Sequence, residues 1–171
     1  MLRCFYTELR LPIGDFILLE INGALCGLCS PEQLPDFQKK LQKHITQPID
    51  FTEESTPLLQ EGKKQLEEYF SGLRQEFSLP IQLYGTDFQK SVWNQLTLIS
   101  YGTSRSYGEI AAALGTKGAQ AVGNAVGANP LPIIIPCHRV LPSDSSLGNF
   151  SMKGGPAVKA FLLDLEQFSY H

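Results

Sequence analysis

The segment Pro136-Cys137-His138-Arg139 carries the side chains best suited to covalent chemistry. A thiol is a strong nucleophile only as the thiolate, and burial alone suppresses that form. A histidine beside the cysteine can take its proton, directly or through water. Pro136 fixes the approach of the chain, because proline locks φ and donates no hydrogen bond. Taken alone, a Cys-His pair is also typical of a buried cysteine that only packs, so a nucleophilic Cys137 and an inert one both remain open at this point.

The elements that must position this segment begin with the apolar run 131–135, which stands immediately before it. A short apolar run of this kind is typical of a buried strand. We therefore expect a strand that delivers Cys137 and His138 out of the core.

The composition is that of a folded protein. Of 171 residues, 43% are hydrophobic and 18% are charged, which is enough apolar side chain to fill a core. No apolar run reaches the length of a membrane span and the start lacks a signal-peptide pattern, so we expect a cytoplasmic protein. The formal net charge of −3 argues against a broad basic surface, so any nucleic-acid binding must depend on a local patch.

Three further cysteines lie in the first part of the chain, at Cys4, Cys26 and Cys29. A reducing compartment keeps such thiols free. Cys26-x-x-Cys29 has metal-like spacing, and Cys4 or His44 could complete a zinc set. A Cys-x-x-Cys within an alternating strand is more often a coincidence, so we predict no metal site and keep zinc as the alternative.

Residues 1–84 predict a small N-terminal α+β domain with an antiparallel sheet. The expected strands are Leu2–Glu8, Gly14–Ile21 and Ala24–Cys29, and Asn22-Gly23 is a strong signal for a two-residue hairpin. The other expected elements are a helix through Leu34, Phe37 and Leu41, a helix that starts at Pro57 and stops at Gly72, and an extended stretch Phe77–Leu83.

Residues 85–171 predict a mainly helical domain. Thr86 and Gln89 form a capping box for its first helix, with Phe88, Val92, Leu96 and Ile99 on one face. Tyr107–Leu114 and Ala119–Ala128, joined by a Gly-containing turn, match a helix-turn-helix. The last expected helix is Pro156–Phe168, with an apolar stripe of Val158, Phe161, Leu162 and Leu165.

The second helix of the helix-turn-helix is built largely from alanine and glycine. Its small residues are Ala119, Ala121, Gly123, Ala125, Gly127 and Ala128. Small side chains let a helix backbone approach a ligand closely, but they also permit tight packing against another helix. Composition alone leaves both interpretations open.

From Gly85 to Glu166 the chain resembles the O6-alkylguanine-DNA alkyltransferases, also called methylated-DNA–protein-cysteine methyltransferases. The matching motifs, in the family's order, are Gly85-Thr86-Asp87-Phe88-Gln89 with Val92-Trp93, Ser106-Tyr107-Gly108-Glu109-Ile110-Ala111, Ala121-Val122-Gly123, Asn129-Pro130, Ile135-Pro136-Cys137-His138-Arg139-Val140, Gly148-Asn149-Phe150-Ser151, and Lys159 with Leu162-Leu163 and Glu166. The PCHRV block after Asn-Pro is very specific to this family, and the first half of the chain has a looser likeness to it.

This resemblance implies a DNA repair protein whose partner is double-stranded DNA containing O6-alkylguanine. The family flips the alkylated guanine, and less readily O4-alkylthymine, out of the duplex. It then transfers the alkyl group irreversibly to the cysteine that matches Cys137. We therefore expect a monomer that needs no cofactor and reacts once per molecule.

The resemblance also assigns catalytic roles. Glu166 orients His138, which takes the proton of Cys137 through water. Tyr107 clashes with the target phosphate, helps to rotate the nucleotide, and protonates or hydrogen-bonds guanine N3. Asn129 braces the turn that presents the cysteine.

For DNA contact, the resemblance places the small-residue helix, with Ala121 and Ala125, in the minor groove. The family's arginine finger, which fills the gap left by the flipped base, falls at Gln120, so this chain departs from the pattern there. Arg105 and Lys117 are the expected phosphate contacts.

The lesion pocket implied by the resemblance is lined by Pro132, Val140, Phe150 and Ser151. The Val140 and Cys137 carbonyls would accept from the guanine amino group. Phe150 replaces a tyrosine found in many relatives, which keeps the stacking face and loses the hydroxyl. Two extra residues fall within 151–156, at the rim of this pocket.

Three other functions remain as alternatives. A lesion sensor that binds without repair would lack the cysteine, but Cys137 is present. A transcription regulator would need sequence-specific readout, which neither the alanine-rich helix nor the acidic net charge supports. A cysteine hydrolase would turn over and would need an oxyanion hole, for which the sequence shows no signature.

Overall fold

The computed structural model describes residues 1–116 and 118–170. It divides the chain into two compact units, Met1–Gly85 and Thr86–His171. The first unit contains a four-stranded sheet and the second is mainly helical, which confirms the predicted mixed α+β class. Within the described residues, no helix is both long enough and apolar enough to cross a membrane.

The sheet of the first unit is built from strands β1 (Leu2–Leu11), β2 (Gly14–Ile21), β3 (Ala24–Cys29) and β4 (Ile49–Glu53). Its order is β3-β2-β1-β4, with β1–β2 and β2–β3 antiparallel. Asn22 and Gly23 both have positive φ, of 52° and 76°, as a tight two-residue hairpin requires. The hairpin prediction is therefore confirmed.

Strand β4 is the element that the sequence analysis missed. It pairs with β1 in parallel, Leu2 opposite Ile49 and Cys4 opposite Phe51. The alternation of Ile49 and Phe51 with polar neighbours is the signal that indicates it. The predicted stretch near Ile81 is extended, as expected, and forms a single bridge with Leu25.

Two helices complete the first unit, α1 (Leu34–Lys43) and α2 (Pro57–Phe70). Thr56 caps α2 by accepting a hydrogen bond from the Leu59 backbone, and Pro57 occupies the first turn, as predicted. Leu59 and Leu66 are fully buried on the face of α2 that packs against the sheet.

The second unit contains α3 (Asp87–Leu96), β5 (Arg105–Ser106), α4 (Tyr107–Ala113), α5 (Ala119–Gly127), β6 (Val140–Leu141) and α6 (Gly155–Leu165). The Thr86–Gln89 capping box of α3 is present. Trp93 on α3 donates from Nε1 to the Ala125 carbonyl at 2.8 Å, which fixes α5 against α3. Parallel pairing of β5 with β6 ties the start of α4 to the chain that follows Arg139.

The run 131–135 is buried, but the prediction that it forms a strand is wrong. It folds as tight turns, with a hydrogen bond from Ile135 N to Leu131 O at 2.9 Å and Ile133 at φ 73°. Pro132 and Pro136 have no N–H to give to a sheet, so this segment cannot complete a ladder.

Two helix faces also differ from the prediction. Phe161 on α6 and Phe88 on α3 are exposed, and Ile99 lies beyond the end of α3 although it is buried. On α6 it is the charged Lys159 that is buried, together with Val158, Leu162 and Leu163. The spacing of the apolar residues along α6 could not reveal that Lys159 lies on the buried face of this helix.

Candidate active site

Asn129 shapes the turn that leads to the cysteine. Its Nδ2 donates to the Ile135 carbonyl at 2.8 Å, and its Oδ1 accepts from the Leu131 backbone at 3.0 Å. Cys137 N then donates to Ile135 O at 2.8 Å, and residues Cys137–Arg139 form one turn of 3-10 helix. An amide is suited to this position because it donates and accepts at once.

The Cys137 side chain is buried and holds its proton at rest. Burial raises the pKa of this thiol to about 11. The Asn129 side chain, the positive charge of Lys159 and nearby backbone N–H groups lower the pKa by less. The thiol therefore needs a proton acceptor before it can act as a nucleophile near neutral pH.

The sequence analysis predicts His138 as the proton acceptor, and the structure pairs this histidine with Glu166. The distance from His138 Nε2 to Glu166 Oε2 is 2.7 Å, and both side chains are fully buried. A carboxylate only accepts, so Nε2 carries the proton. Within the described residues, His138 Nδ1 makes no hydrogen bond with the protein.

The pKa of His138 lies below its ordinary value. Burial lowers it most, and the positive charges of Arg139 and Lys159 lower it further, while the hydrogen bond and negative charge of Glu166 raise it. A neutral imidazole with its proton on Nε2 therefore leaves Nδ1 able to accept a proton.

Arg139 also contacts the site, although the sequence analysis named it only as part of the Pro-Cys-His-Arg motif and assigned it no role. Its Nε donates to Glu166 Oε1 at 2.9 Å and its Nη2 to Glu166 Oε2 at 3.0 Å. Its Nη1 donates to the Ile99 carbonyl at 2.6 Å, and the Tyr101 ring lies 5.7 Å from the guanidinium carbon. The available signal was an arginine directly before the apolar pair Val140-Leu141, because a charge that is buried must find a partner.

Glu166 is the C-cap residue of α6, and its carboxylate accepts a hydrogen bond from the loop after α3 as well as those from Arg139. Gly102 N donates to Glu166 Oε1 at 3.2 Å, and Tyr101 Oη donates to the Leu165 carbonyl at 3.3 Å. Gly102 has φ 74°, which glycine adopts without strain. The loop after α3 thus helps to hold the carboxylate in place.

A cavity of about 190 Å³ opens beside the thiol. Its described lining residues are Tyr107, Gly123, Val126, Gly127, Cys137, Asn149, Phe150 and Ser151. Phe150 and Ser151 were predicted there, whereas the α5 residues and Asn149 were missed. Pro132 and Val140 are buried and are not among these lining residues, so their predicted place in the pocket remains a prediction.

Tyr107 begins α4 and lines the same cavity as Cys137. Burial raises the pKa of its phenol, and the charge of Cys137 raises it further. The phenol therefore keeps its proton and is a hydrogen-bond donor toward the cavity.

Lys159 is a second charged group that the sequence did not place in the site. It is 1% exposed, and its Nζ donates to the Asn149 carbonyl at 3.3 Å. Burial lowers the pKa of Lys159 to about 8, while the Cys137 charge raises it. A positive charge here favours the thiolate.

The residues predicted to contact DNA are partly presented by the helix pair α4 and α5. Gln120 and Ala121 are exposed near the start of α5. Ala125 is buried against α3, where its carbonyl accepts from Trp93, so the prediction that it contacts DNA conflicts with the structure. Arg105 Nη1 donates to Gln95 Oε1 at 3.0 Å, and Lys117 lies outside the described residues.

The other thiols belong to the core of the first unit. Cys4, Cys26 and Cys29 are free and buried, and they pack with Ile17, Leu19, Ile21 and Leu41. Across residues 1–116 and 118–170, no group of three or more His, Cys, Asp or Glu side chains could hold a metal ion. The zinc alternative has no support from this geometry.

A buried cysteine beside a buried histidine–carboxylate pair, with a cavity next to the thiol, defines a candidate site for a cysteine nucleophile. Two family models match the chain: the ribonuclease-like domain of 6-O-methylguanine DNA methyltransferase over residues 4–83, and its DNA binding domain over residues 87–168. The chain belongs to the family of methylated-DNA–protein-cysteine methyltransferases.

Individual relatives agree with that membership. The constitutive methylated-DNA–protein-cysteine methyltransferase of Bacillus subtilis is 42% identical over 97% of each chain. The Haemophilus influenzae enzyme is 36% identical over 99% of this chain and 90% of its own. A crystal structure of the Mycobacterium tuberculosis O6-methylguanine methyltransferase gives a TM-score of 0.80 at 38% identity, covering 96% of this chain and 93% of that one.

The protonation state of Cys137 yields a direct prediction. Because the pKa of the folded thiol is raised to about 11, its alkylation by iodoacetamide should accelerate by about tenfold per pH unit from pH 7 to pH 10. Peptide mass mapping measures Cys137 separately, and Cys29, whose pKa is raised to about 12, should react more slowly still. The urea-unfolded protein is the control and should level off near pH 9, about its ordinary pKa. A plateau below pH 9 for folded Cys137 would contradict this description.

Proposed function

We propose that this chain is a DNA repair protein that transfers an alkyl group from O6 of guanine, and less readily from O4 of thymine, to Cys137 Sγ. The proposal rests on one observation: the thiol of Cys137 lies at the wall of a cavity, next to the buried His138–Glu166 pair. Family membership supports the same reaction. The thiol is the nucleophile and the alkylated base is the electrophile, so the step requires no cofactor.

Transfer begins with removal of the Cys137 proton. His138 takes the proton at Nδ1 through a water molecule, and Glu166 stabilises the imidazolium at Nε2. The thiolate attacks the alkyl carbon opposite the oxygen. The sulfur–carbon bond forms as the carbon–O6 bond breaks, and the bonding electron pair remains on guanine.

The departing guanine develops negative charge, which the proton taken by His138 finally neutralises through water, and in this proposal Tyr107 donates a hydrogen bond to the guanine as it leaves. Its phenol lines the cavity that holds Cys137, and its raised pKa keeps the proton in place as negative charge develops. Donation to guanine N3 then stabilises the leaving group. The product is a thioether, which is not hydrolysed under ordinary conditions, so each molecule reacts once.

Access to the alkyl carbon requires a flipped nucleotide, because the carbon lies within the base stack. In this proposal α4 and α5 act as a helix-turn-helix, and α5 presents Gln120 and Ala121 to the minor groove. Arg105 and Lys117 contact phosphates. A structural relative, the Mycobacterium tuberculosis protein solved in complex with DNA, has a TM-score of 0.76 at 36% identity over 95% of this chain and 92% of that one.

The central experiment incubates the protein with duplex DNA that carries labelled O6-methylguanine. Label should move to the protein up to one equivalent, and peptide mapping should find the methyl group on Cys137. Cys137→Ala and Cys137→Ser should abolish transfer and leave lesion binding largely intact, because binding depends on the helices and the pocket. Cys29→Ala serves as the control and should transfer normally, since Cys29 packs in the first unit. Label on Cys4, Cys26 or Cys29 would refute the assignment.

Gln120 gives a prediction that is particular to this chain. Extrusion of a base costs a few kcal/mol, and the side chain that enters the gap offsets part of that cost. Arginine can hydrogen-bond the orphaned base and also attract phosphates, whereas glutamine offers only the first interaction. Gln120→Arg should therefore tighten duplex binding and steepen its salt dependence by about one cation.

Truncation tests the same position in the other direction. Gln120→Ala should slow repair in duplex DNA much more than in single strands, where no stack needs to be refilled. Gln60→Arg is the charge control for Gln120→Arg, since it adds the same charge at an exposed position of α2. If Gln120→Ala slows repair equally on both substrates, or on neither, Gln120 is only a solvated helix residue.

A further inference from the structure

Glu166 accepts hydrogen bonds from two side chains of different kind, His138 and Arg139, besides the Gly102 backbone N–H. His138 Nε2 and Arg139 Nη2 donate to the same oxygen, Oε2, at 2.7 and 3.0 Å, and Arg139 Nε covers the other oxygen at 2.9 Å. The guanidinium is anchored on its remaining side by the Ile99 carbonyl at 2.6 Å. The carboxylate is therefore neutralised by an arginine whose orientation is fixed independently of the histidine.

We propose that Arg139 is a positioning residue whose charge keeps His138 a neutral imidazole at rest, with the proton on Nε2 and Nδ1 left as the acceptor. The inference rests on the proposed function, because a neutral Nδ1 matters only if His138 takes the Cys137 proton. Arg139 acts through Glu166 and does not itself meet the alkyl group.

The physical reason is the balance of charge in a buried site. A buried carboxylate without a cation would stabilise an imidazolium beside it, and the pair would rest as Glu⁻ and His⁺. Arg139 already balances the carboxylate, so a second positive charge gains little attraction and meets repulsion. The bidentate geometry also holds both carboxylate oxygens in one plane, which fixes the direction of the hydrogen bond to Nε2.

Lys159 on α6 acts on His138 in the same direction as Arg139, because it adds positive charge. Tyr101, from the loop after α3, contacts Arg139, with its ring centre 5.7 Å from the guanidinium carbon. Cys137 on the same turn is neutral at rest. Among the causes that shift the pKa of His138, Glu166 is the one that raises it, and burial, Arg139 and Lys159 lower it. Removal of the Arg139 charge should therefore move this balance toward the protonated histidine.

The consequence for the reaction has a definite sign. A histidine that is already protonated cannot take the thiol proton. The fraction of protein molecules that can react therefore falls as the pH drops through the pKa of His138. With Arg139 in place, that pKa lies low and the histidine is competent at neutral pH. Without the arginine charge, the acid limb of the rate profile should move to higher pH.

The test is an NMR titration of the imidazole ¹³Cε1 resonance of His138 in the full chain without DNA. The chain has three histidines, and His138→Ala assigns the resonance. Native protein should titrate below about 6.5, the ordinary value. Arg139→Met, which removes the charge and keeps an unbranched chain, should raise the pKa of His138 by about one to three units. Arg139→Lys is the matched control: it keeps the charge, loses the bidentate contact, and should leave the pKa near the native one.

Two outcomes overturn the proposal: an unchanged pKa in Arg139→Met, or an equal rise in the lysine and methionine variants, which would assign the effect to contact geometry instead of charge. Arg139→Gln provides a second neutral variant that can still hydrogen-bond Glu166 if the methionine variant does not fold. The transfer rate against pH in the same proteins should show the shifted acid limb. Native protein that moves no label would refute the proposed function, while the titration would still decide the role of Arg139.

Discussion

The second unit depends on one buried carboxylate. Glu166 lies fully out of water at the end of α6, where an ionised side chain costs several kcal/mol unless partners surround it. His138, Arg139 and the Gly102 backbone supply those partners. His138 and Arg139 lie in the turn at 137–139, and Gly102 lies in the loop after α3. That turn, that loop and the end of α6 must therefore meet in one arrangement. The same requirement that stabilises the unit thus sets the geometry of the site.

A buried thiol beside this carboxylate explains why the site needs a relay. Burial makes Cys137 a poor acid, with a pKa raised to about 11, and it makes His138 a neutral base. In the proposed relay, proton transfer between them creates an ion pair, in which Glu166 stabilises the imidazolium and Lys159 stabilises the thiolate. Such a site keeps the thiol unreactive toward other electrophiles until an alkylated base occupies the cavity and excludes water. Low background reactivity is valuable for a protein whose reactive cysteine accepts one alkyl group and is not regenerated.

The sequence predicted the residues of the site better than their supports. Cys137 and His138 stand in the Pro-Cys-His-Arg motif and Glu166 was assigned by the family resemblance, while the capping box at Thr86 and the Asn22-Gly23 hairpin followed from local backbone chemistry. The turn at 131–135 did not, because apolar composition specifies burial and not the hydrogen-bond pattern that two prolines prevent. The roles of Arg139 and Lys159 were also missed, since helix periodicity treats every charged residue as exposed. Long-range pairing, such as β4 beside β1, depends on register that the local sequence does not encode.

The most direct test of this account is the pH dependence of methyl transfer in His138→Ala and Glu166→Gln, with His44→Ala as the control for a histidine outside the site. A thiolate forms unaided only as pH rises toward the thiol pKa, so the two variants should transfer far more slowly than native protein at pH 7. Their rates should then climb by about tenfold per pH unit and approach the native rate near pH 10. The native and His44→Ala rates should remain nearly flat over that range. If the His138→Ala profile instead runs parallel to the native one, His138 does not take the proton and the account fails.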